Sequence, residues 1–388
     1  MGATGFIARG IRFKGRLPEV AIAISFLVII IAVAVSAGFR KEIRKGVSEV
    51  TGEVILSAAG LDCYGEDTPV SVTQSYLGAI EAVPGVRCIT PAVYRAGIVR
   101  AEGGDIHGVL LKGTEREDSV KLGVSIPSRL SSLLSLEVGD EMLTYFVGEK
   151  VKARKFTVTD IYDSILDSDE TLVVKAGIDD LRRLNGWAEN QASTLEVSLD
   201  PRISSSEAIR EKARHIGAIA AGSATLEDDL LVAVASVDKY PQLFDWLGLI
   251  DFNVAAILLL MTVVAGFNMI SGLLILLFRN ISTIGVLKAL GMNDKGIARV
   301  FLRVSGRSVL LGIAAGNAAG LLFCLVQGCT HLIRLNPENY FVSFVPVSVN
   351  ALSVLAADAA AFAGIMLLLL IPCLFISKID PSRTVKTE

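Results

Sequence analysis

The chain has 388 residues, 52% of them hydrophobic and 20% charged, with a net charge of −3 and a mean hydropathy of +0.56. That is too apolar for a water-soluble protein of this size and too charged to lie wholly in lipid, so the residues must divide between two compartments. The small net charge gives no basis for nucleic-acid binding. The three histidines and five cysteines form no Cys-x-x-Cys or His-Glu-x-x-His, so no metal site is expected.

Residues 4–17 place Phe6, Phe13 and Leu17 on one side of a helix and Arg9, Arg12 and Arg16 on another. This predicts a cytoplasmic interfacial helix over 1–19, lying on an anionic leaflet. A cleaved signal peptide is the alternative, but the apolar run that follows is longer than a usual signal core. Charge-free runs at 20–39, 252–278, 308–330 and 359–377 are each long enough to cross about 30 Å of hydrocarbon. They predict spans at 20–39, 252–278, 308–331 and 352–377. Lys and Arg concentrate before the first run, in the 279–307 loop and in the 378–388 tail, whereas the 332–351 loop carries only Arg334. Both termini are therefore expected in the cytoplasm, with residues 40–251 outside.

That outer block reads as a mixed α+β domain. Strands are predicted at 54–58, 86 onward, 98–99, 109–111, 141–148, 152–162, 172–174 and 195–199. Helices are predicted at 71–82, 128–136, 178–185 and 205–217. It contains no Gly-x-Ser-x-Gly and no nucleophile–base arrangement, so no catalytic residues are expected. Cys63 and Cys88, its two thiols, could bridge in an oxidising compartment or stay reduced. Pro241 opens a helix that, continued through 252–278, would be a rod of about 55 Å. Residues 40–50 can prolong the first span in the same way, giving two stalks.

Between the second and third spans, Ile284, Leu287 and Leu290 recur at i, i+3, i+6 with Val286 beside them, the apolar edge of a short helix. Lys288 falls in its last turn, Gly291 takes the left-handed stop position, and Asp294 is expected to cap the helix that follows. Such an elbow suits a surface that another protein pushes; the alternative is an ordinary cytoplasmic loop lying on the bilayer. In the third span Gly312, Gly316 and Gly320 form a small-residue ladder, for which Ala356, Ala360 and Gly364 of the fourth span are the expected partners and dimerisation is the competing use. Asp358 is expected at the outer interface rather than within lipid.

These residues resemble the MacB/FtsX-like ABC-transporter permeases, and among them the lipoprotein-releasing type. The resemblance rests on Phe6-Ile7-Ala8-Arg9, Gly38-Phe39-Arg40-Lys41-Glu42-Ile43, Ala265-Gly266-Phe267-Asn268-Met269-Ile270-Ser271, Ile284 through Met292, and Asn339 through Val347. It implies a membrane α-helical protein with four transmembrane helices and an extracytoplasmic α+β domain of porter and sabre type, in a bacterial inner membrane. It also implies that Ile284, Val286, Leu287, Lys288, Leu290 and Met292 meet a separate ABC ATPase. ATP and magnesium would reside on that partner, because this chain has no Gly-x-x-x-x-Gly-Lys-Ser/Thr and binds no cofactor itself. Further implied partners are a second permease copy or paralogue, membrane lipid, lipoprotein cargo and a periplasmic lipoprotein chaperone. Phe26, Ile30, Phe267 and Ile270 are the expected cavity lining. Thr283 departs from the acidic residue the family often carries there. The alternatives are a MacB-like export permease and an FtsX-like signalling subunit.

Overall fold

The computed structural model describes residues 17–58, 68–100, 104–115, 120–148, 150–163, 172–203, 205–226, 228–336, 340 and 342–373. Most of the expected interfacial helix, Cys63, the end of the fourth span and the tail lie outside them. The chain divides into two units: 1–41 with 247–334 and 344–388, and 42–246 with 335–343.

In the second unit, after the helix α1 (Leu17–Thr51), the order is β1 (Val54–Ala58), β2 (Val70–Ser71), α2 (Leu77–Glu81), β3 (Val86–Arg100) and β4 (Ile106–Thr114). Then come β5 (Gly123–Pro127), α3 (Ser128–Leu134), β6 (Glu141–Phe146), β7 (Lys152–Tyr162), β8 (Leu172–Gly177) and α4 (Ile178–Asn185). The remaining elements are β9 (Gln191–Ala192), β10 (Thr194–Leu199), α5 (Ser206–Ser223), β11 (Leu231–Ala235) and α6 (Ser236–Lys239).

Strand β3 organises this unit. The sheet runs β11-β1-β10-β3-β4-β8-β5-β7-β6, and β6 returns to pair with β3 through Ile98↔Tyr145 and Val99↔Thr144. Strands β3, β4, β8, β5, β7 and β6 therefore close on themselves, while β11, β1 and β10 extend from the other half of β3. Alternation fills the closed part: Met142, Thr144 and Phe146 of β6 point inward and Glu141, Leu143 and Tyr145 outward. Val93, Leu111, Ile126, Phe156 and Val174 join them, with Leu130 of α3 and Leu181 of α4 packed on the same core. At the seam Gly97 is needed, because a methyl there would fall 2.8 Å from Thr144 Cγ2. The extended part is covered by α5, whose Ile209, Ala213, Ile216 and Ala220 fall on one helical face against Val54, Leu56, Leu195 and Val197.

The 71–82 expectation is corrected. Only Leu77–Glu81 is helical, because distant carboxylates take the backbone N–H groups of the residues before it. Ser71 N–H donates to Asp229 Oδ2 (2.7 Å), and Ser75 N–H to Asp228 Oδ1 (2.8 Å). Tyr76 follows, its hydroxyl donating to the Asp229 carbonyl at 3.0 Å. Burial first, then the charges of Asp228 and Asp229, push its phenol up to about 12. The phenol's folded pKa is the higher one, so its contribution is complete below pH 10 and is lost as pH rises through 12. Tyr76→Phe should therefore flatten the alkaline fall in stability, by at most about 3 kcal/mol. Denaturation midpoints across that pH range, with phenolate absorbance, check this.

The membrane unit comprises α1 up to Lys41, α7 (Pro241–Arg279) from Leu247, α8 (Ile281–Ala289), α9 (Asp294–Thr330), α10 (Ala351–Leu368) and α11 (Leu370–Cys373). Four of its helices are long and apolar enough to cross a membrane: Pro18–Thr51, Pro241–Arg279, Asp294–Thr330 and Ala351–Cys373. Helix α7 has 39 residues and α1 has 35, so both outrun the hydrocarbon core, at roughly 58 and 52 Å. Pro372, which clashes with the carbonyl four residues back, marks the break between α10 and α11. The core gathers Ile22, Phe26, Met269, Leu273, Ile284, Phe301, Ala361 and Ile365 from all the long helices. At one end of the unit, Asp251 of α7 accepts from Ser36 (2.7 Å) and pairs with Arg40 (2.5 Å) of α1.

Candidate functional site: the elbow and the helix seam

The elbow is built as two capped ends facing one another. After α7, Asn280 breaks the helix, and its side-chain amide donates to the Leu276 carbonyl at 2.7 Å. Helix α8 stops in a double turn: Gly291 N–H reaches the Lys288 carbonyl and Met292 N–H the Leu287 carbonyl, both at 2.9 Å. That pattern requires a left-handed residue at 291, and Gly291 supplies it at φ +85°. The cap of α9 is Asn293, not Asp294 as expected: the Asn293 side chain accepts from Lys295 N–H. Asp294 is left to pair with Lys288 at 2.9 Å, tying the two helices across the turn.

The apolar edge read from the sequence divides between two directions. Ile284 is fully buried in the core, and Leu287 and Met292 pack against it. Val286 and Leu290 point away, 49% and 79% exposed. They lie one turn apart beside exposed Ser282, Thr283 and Ala289, so α8 shows a small, mildly apolar outer face. A helix anchored on one side, stopped at both ends and bare on the other is a rigid contact surface.

The expected cavity lining needs correction at two positions. Phe26 and Ile30 are fully buried within the bundle and fill the seam between α1 and α9. Phe267 is 61% exposed, and Ile270 is partly buried against the core. The glycine ladder also has a different partner from the one expected. A methyl on Gly312 would lie 2.6 Å from Ile22, on Gly316 2.5 Å from the Ala23 carbonyl oxygen, and on Gly320 3.0 Å from Ile30. It therefore packs on α1, while Gly364 of α10 meets Thr262 of α7.

Asp358 also lies elsewhere than expected. It is buried and accepts from Asn317 Nδ2 at 2.6 Å, joining α10 to α9 inside the bundle instead of at its edge. Spacing could not reveal this, although Asn317 within an apolar run was a signal. Lys112 and Glu196, not singled out by any motif, form a buried pair at 2.7 Å in the α+β unit. Each interrupts an apolar strand, which was the available clue. Cys88 is an exposed free thiol; Cys324 and Cys373 are buried and Cys329 exposed. Among the described residues no group of His, Cys, Asp or Glu could hold a metal ion.

Residues 255–381, which include the elbow and the glycine ladder, match the family model for the FtsX-like permease C-terminal domain. The chain is an ABC-transporter permease of the FtsX/LolC-like type. It is similar to the lipoprotein-releasing system transmembrane protein LolC of Xylella fastidiosa strain Temecula1, at 21% identity over 95% of this chain and 92% of that one. To LolE of Haemophilus influenzae it is 23% identical, covering 96% and 94%. Its α+β unit has likenesses among solved structures. The periplasmic region of MacB from Actinobacillus actinomycetemcomitans covers 51% of this chain and 95% of that one (13% identity, TM-score 0.31). The extracellular domain of the ABC-type transporter YknZ covers 47% and 98% (13% identity, TM-score 0.28). In this permease the elbow and the ladder thus lie within one recognisable domain, fixed to each other through the α1–α9 seam and the core around Ile284.

Proposed function

We propose that this permease is the non-catalytic membrane subunit of a transporter that releases lipoproteins from a bacterial inner membrane, driven by ATP hydrolysed on a separate ABC ATPase. In this reading both termini are cytoplasmic and the α+β unit is periplasmic. A second permease copy or paralogue completes the assembly. The observation that carries it is the outward pair Val286 and Leu290 on a helix whose other face is locked into the bundle. Similarity to the lipoprotein-releasing proteins supports the choice of cargo. At about 0.8 kcal/mol per methylene, baring an acyl chain of about 15 methylenes to water costs roughly 12 kcal/mol. The chains must then move from lipid to an apolar enclosure and on to an acceptor. The permease supplies the two-state element that nucleotide binding biases, not a water-filled channel.

The test is Val286→Asp with Leu290→Asp. Each buried aliphatic is worth about 1.5–3 kcal/mol at a contact, so ATPase association should weaken about a hundredfold or more. The helical content of the purified permease should not change. Unaltered association, measured by co-purification and by lipoprotein release per ATP, would remove α8 as the coupling surface.

A further inference from the structure

Helix α9 carries Lys295, Arg299, Arg303 and Arg307 at four-residue intervals, and all four are exposed. At 100° per residue they fall within a 120° arc. The opposite side of the same turns, Ile297, Val300, Phe301 and Val304, is buried in the core. The exposed arc does not end at Arg307. Along the same arc it continues through Leu310 (56% exposed) to Leu321 and Leu325. One outer face therefore changes from cationic to aliphatic between residues 307 and 310. In a helix that crosses a membrane, that change fixes where hydrocarbon gives way to headgroups. Between Arg279 and Thr330 the sequence has a single acidic residue, Asp294, and it is held by Lys288.

We propose that Arg303 and Arg307 form a binding site for the phosphates of anionic phospholipids. The headgroup layer is about 5–8 Å thick on each side of the hydrocarbon. At 1.5 Å per residue Arg303 stands about 6 Å beyond Arg307, within that layer, whereas Arg299 and Lys295 stand about 12 and 18 Å beyond. The first two guanidinium groups reach the phosphate oxygens as charges at headgroup depth. Lys295 overshoots the headgroups and lies toward the elbow. The site is a surface stripe set by depth, so it selects charge rather than acyl-chain identity.

The experiment uses the full chain in neutral detergent, titrated with phosphatidylglycerol or phosphatidylcholine and followed by native mass spectrometry. Arg303→Gln with Arg307→Gln should lower phosphatidylglycerol affinity about 25-fold, near fivefold for each charge. Lys295→Gln should change it less than twofold, and Arg303→Lys with Arg307→Lys should retain most of it. Added salt should weaken binding in the wild type. Equal uptake of phosphatidylcholine, equal losses from Lys295→Gln and the double glutamine variant, or full competition by inorganic phosphate would each overturn the proposal. Circular dichroism of every variant separates a lost site from a lost fold.

Discussion

Gly316→Leu is expected to destabilise the membrane unit by about 3 kcal/mol or more, and even Gly316→Ala should cost stability. A methyl at this position would lie 2.5 Å from the Ala23 carbonyl oxygen, 2.8 Å from Phe26 Cβ and 3.1 Å from Leu27 N. Two of those three atoms are backbone, so α1 cannot yield by turning a side chain and must move away as a whole. Moving it opens the seam at Gly312 and Gly320 and forfeits contacts that, in lipid, have no hydrophobic driving force to replace them. Overpacking alone typically costs 1–3 kcal/mol. The sign of the alanine variant is the sharper test. Glycine-to-alanine within a helix ordinarily gains up to about 1 kcal/mol. Gly248 of α7, around which a methyl meets nothing within 4 Å, should show that gain. Opposite signs at 316 and 248, in thermal or detergent-induced unfolding of the full chain, are the expected result. A stabilising Gly316→Ala would reject the seam.

The second large effect belongs to Lys112 and Glu196. Their side chains are 3% and 6% exposed, and Lys112 Nζ also donates to the Glu49 carbonyl at 3.2 Å. Glu196 is hydrogen-bonded in turn to the Tyr94 hydroxyl, which stands 2.6 Å from the Val50 carbonyl. Helix α1 has no basic residue in its last turn. Lys112, from strand β4, thus takes up a terminal carbonyl that the helix itself leaves open. Lys112→Met strands a carboxylate in the core and should cost about 3–5 kcal/mol. Glu196→Leu, which strands the ammonium, should cost a similar amount. The double variant removes both charges and should recover most of the loss, because replacing a buried pair by apolar groups is often close to neutral. Double-mutant-cycle coupling near zero in equilibrium unfolding would show that the pair is not acting as one. Burial holds the Lys112 ammonium below the ordinary lysine range, with Glu196 opposing the shift. Between its folded and unfolded pKa the unfolded chain binds more protons, so this group's contribution rises with pH across that window.

Local pattern reaches some elements of the α+β unit and not others. Strands 54–58 and 152–162 and the helix 178–185 have in the structure the bounds the sequence predicts. The helix is set by its own stop at Gly186, and the 152–162 strand by its β-branched and aromatic residues. Strands β5 and β11 escaped notice because short apolar runs fit either state. Strand β3 was read only in pieces, since Pro91 and Gly97 interrupt its pattern while two different neighbours complete its hydrogen bonds.

What the sequence alone determined is everything that depends on a residue and its near neighbours along the chain. The four membrane-length helices, the Gly291 stop and the small face of α9 follow from charge-free length, from a backbone angle only glycine takes easily, and from four-residue spacing. Which surface that small face meets was decided by the tertiary structure. Ile22, Phe26 and Ile30 recur at the same interval as Gly312, Gly316 and Gly320, so a ridge of large side chains fills a groove of small ones. Two small faces would have left less to bury. The inward turn of Ile284, the outward turn of Leu290 and the meeting of Asn317 with Asp358 have the same origin: a periodicity names a face, and only packing assigns its neighbour.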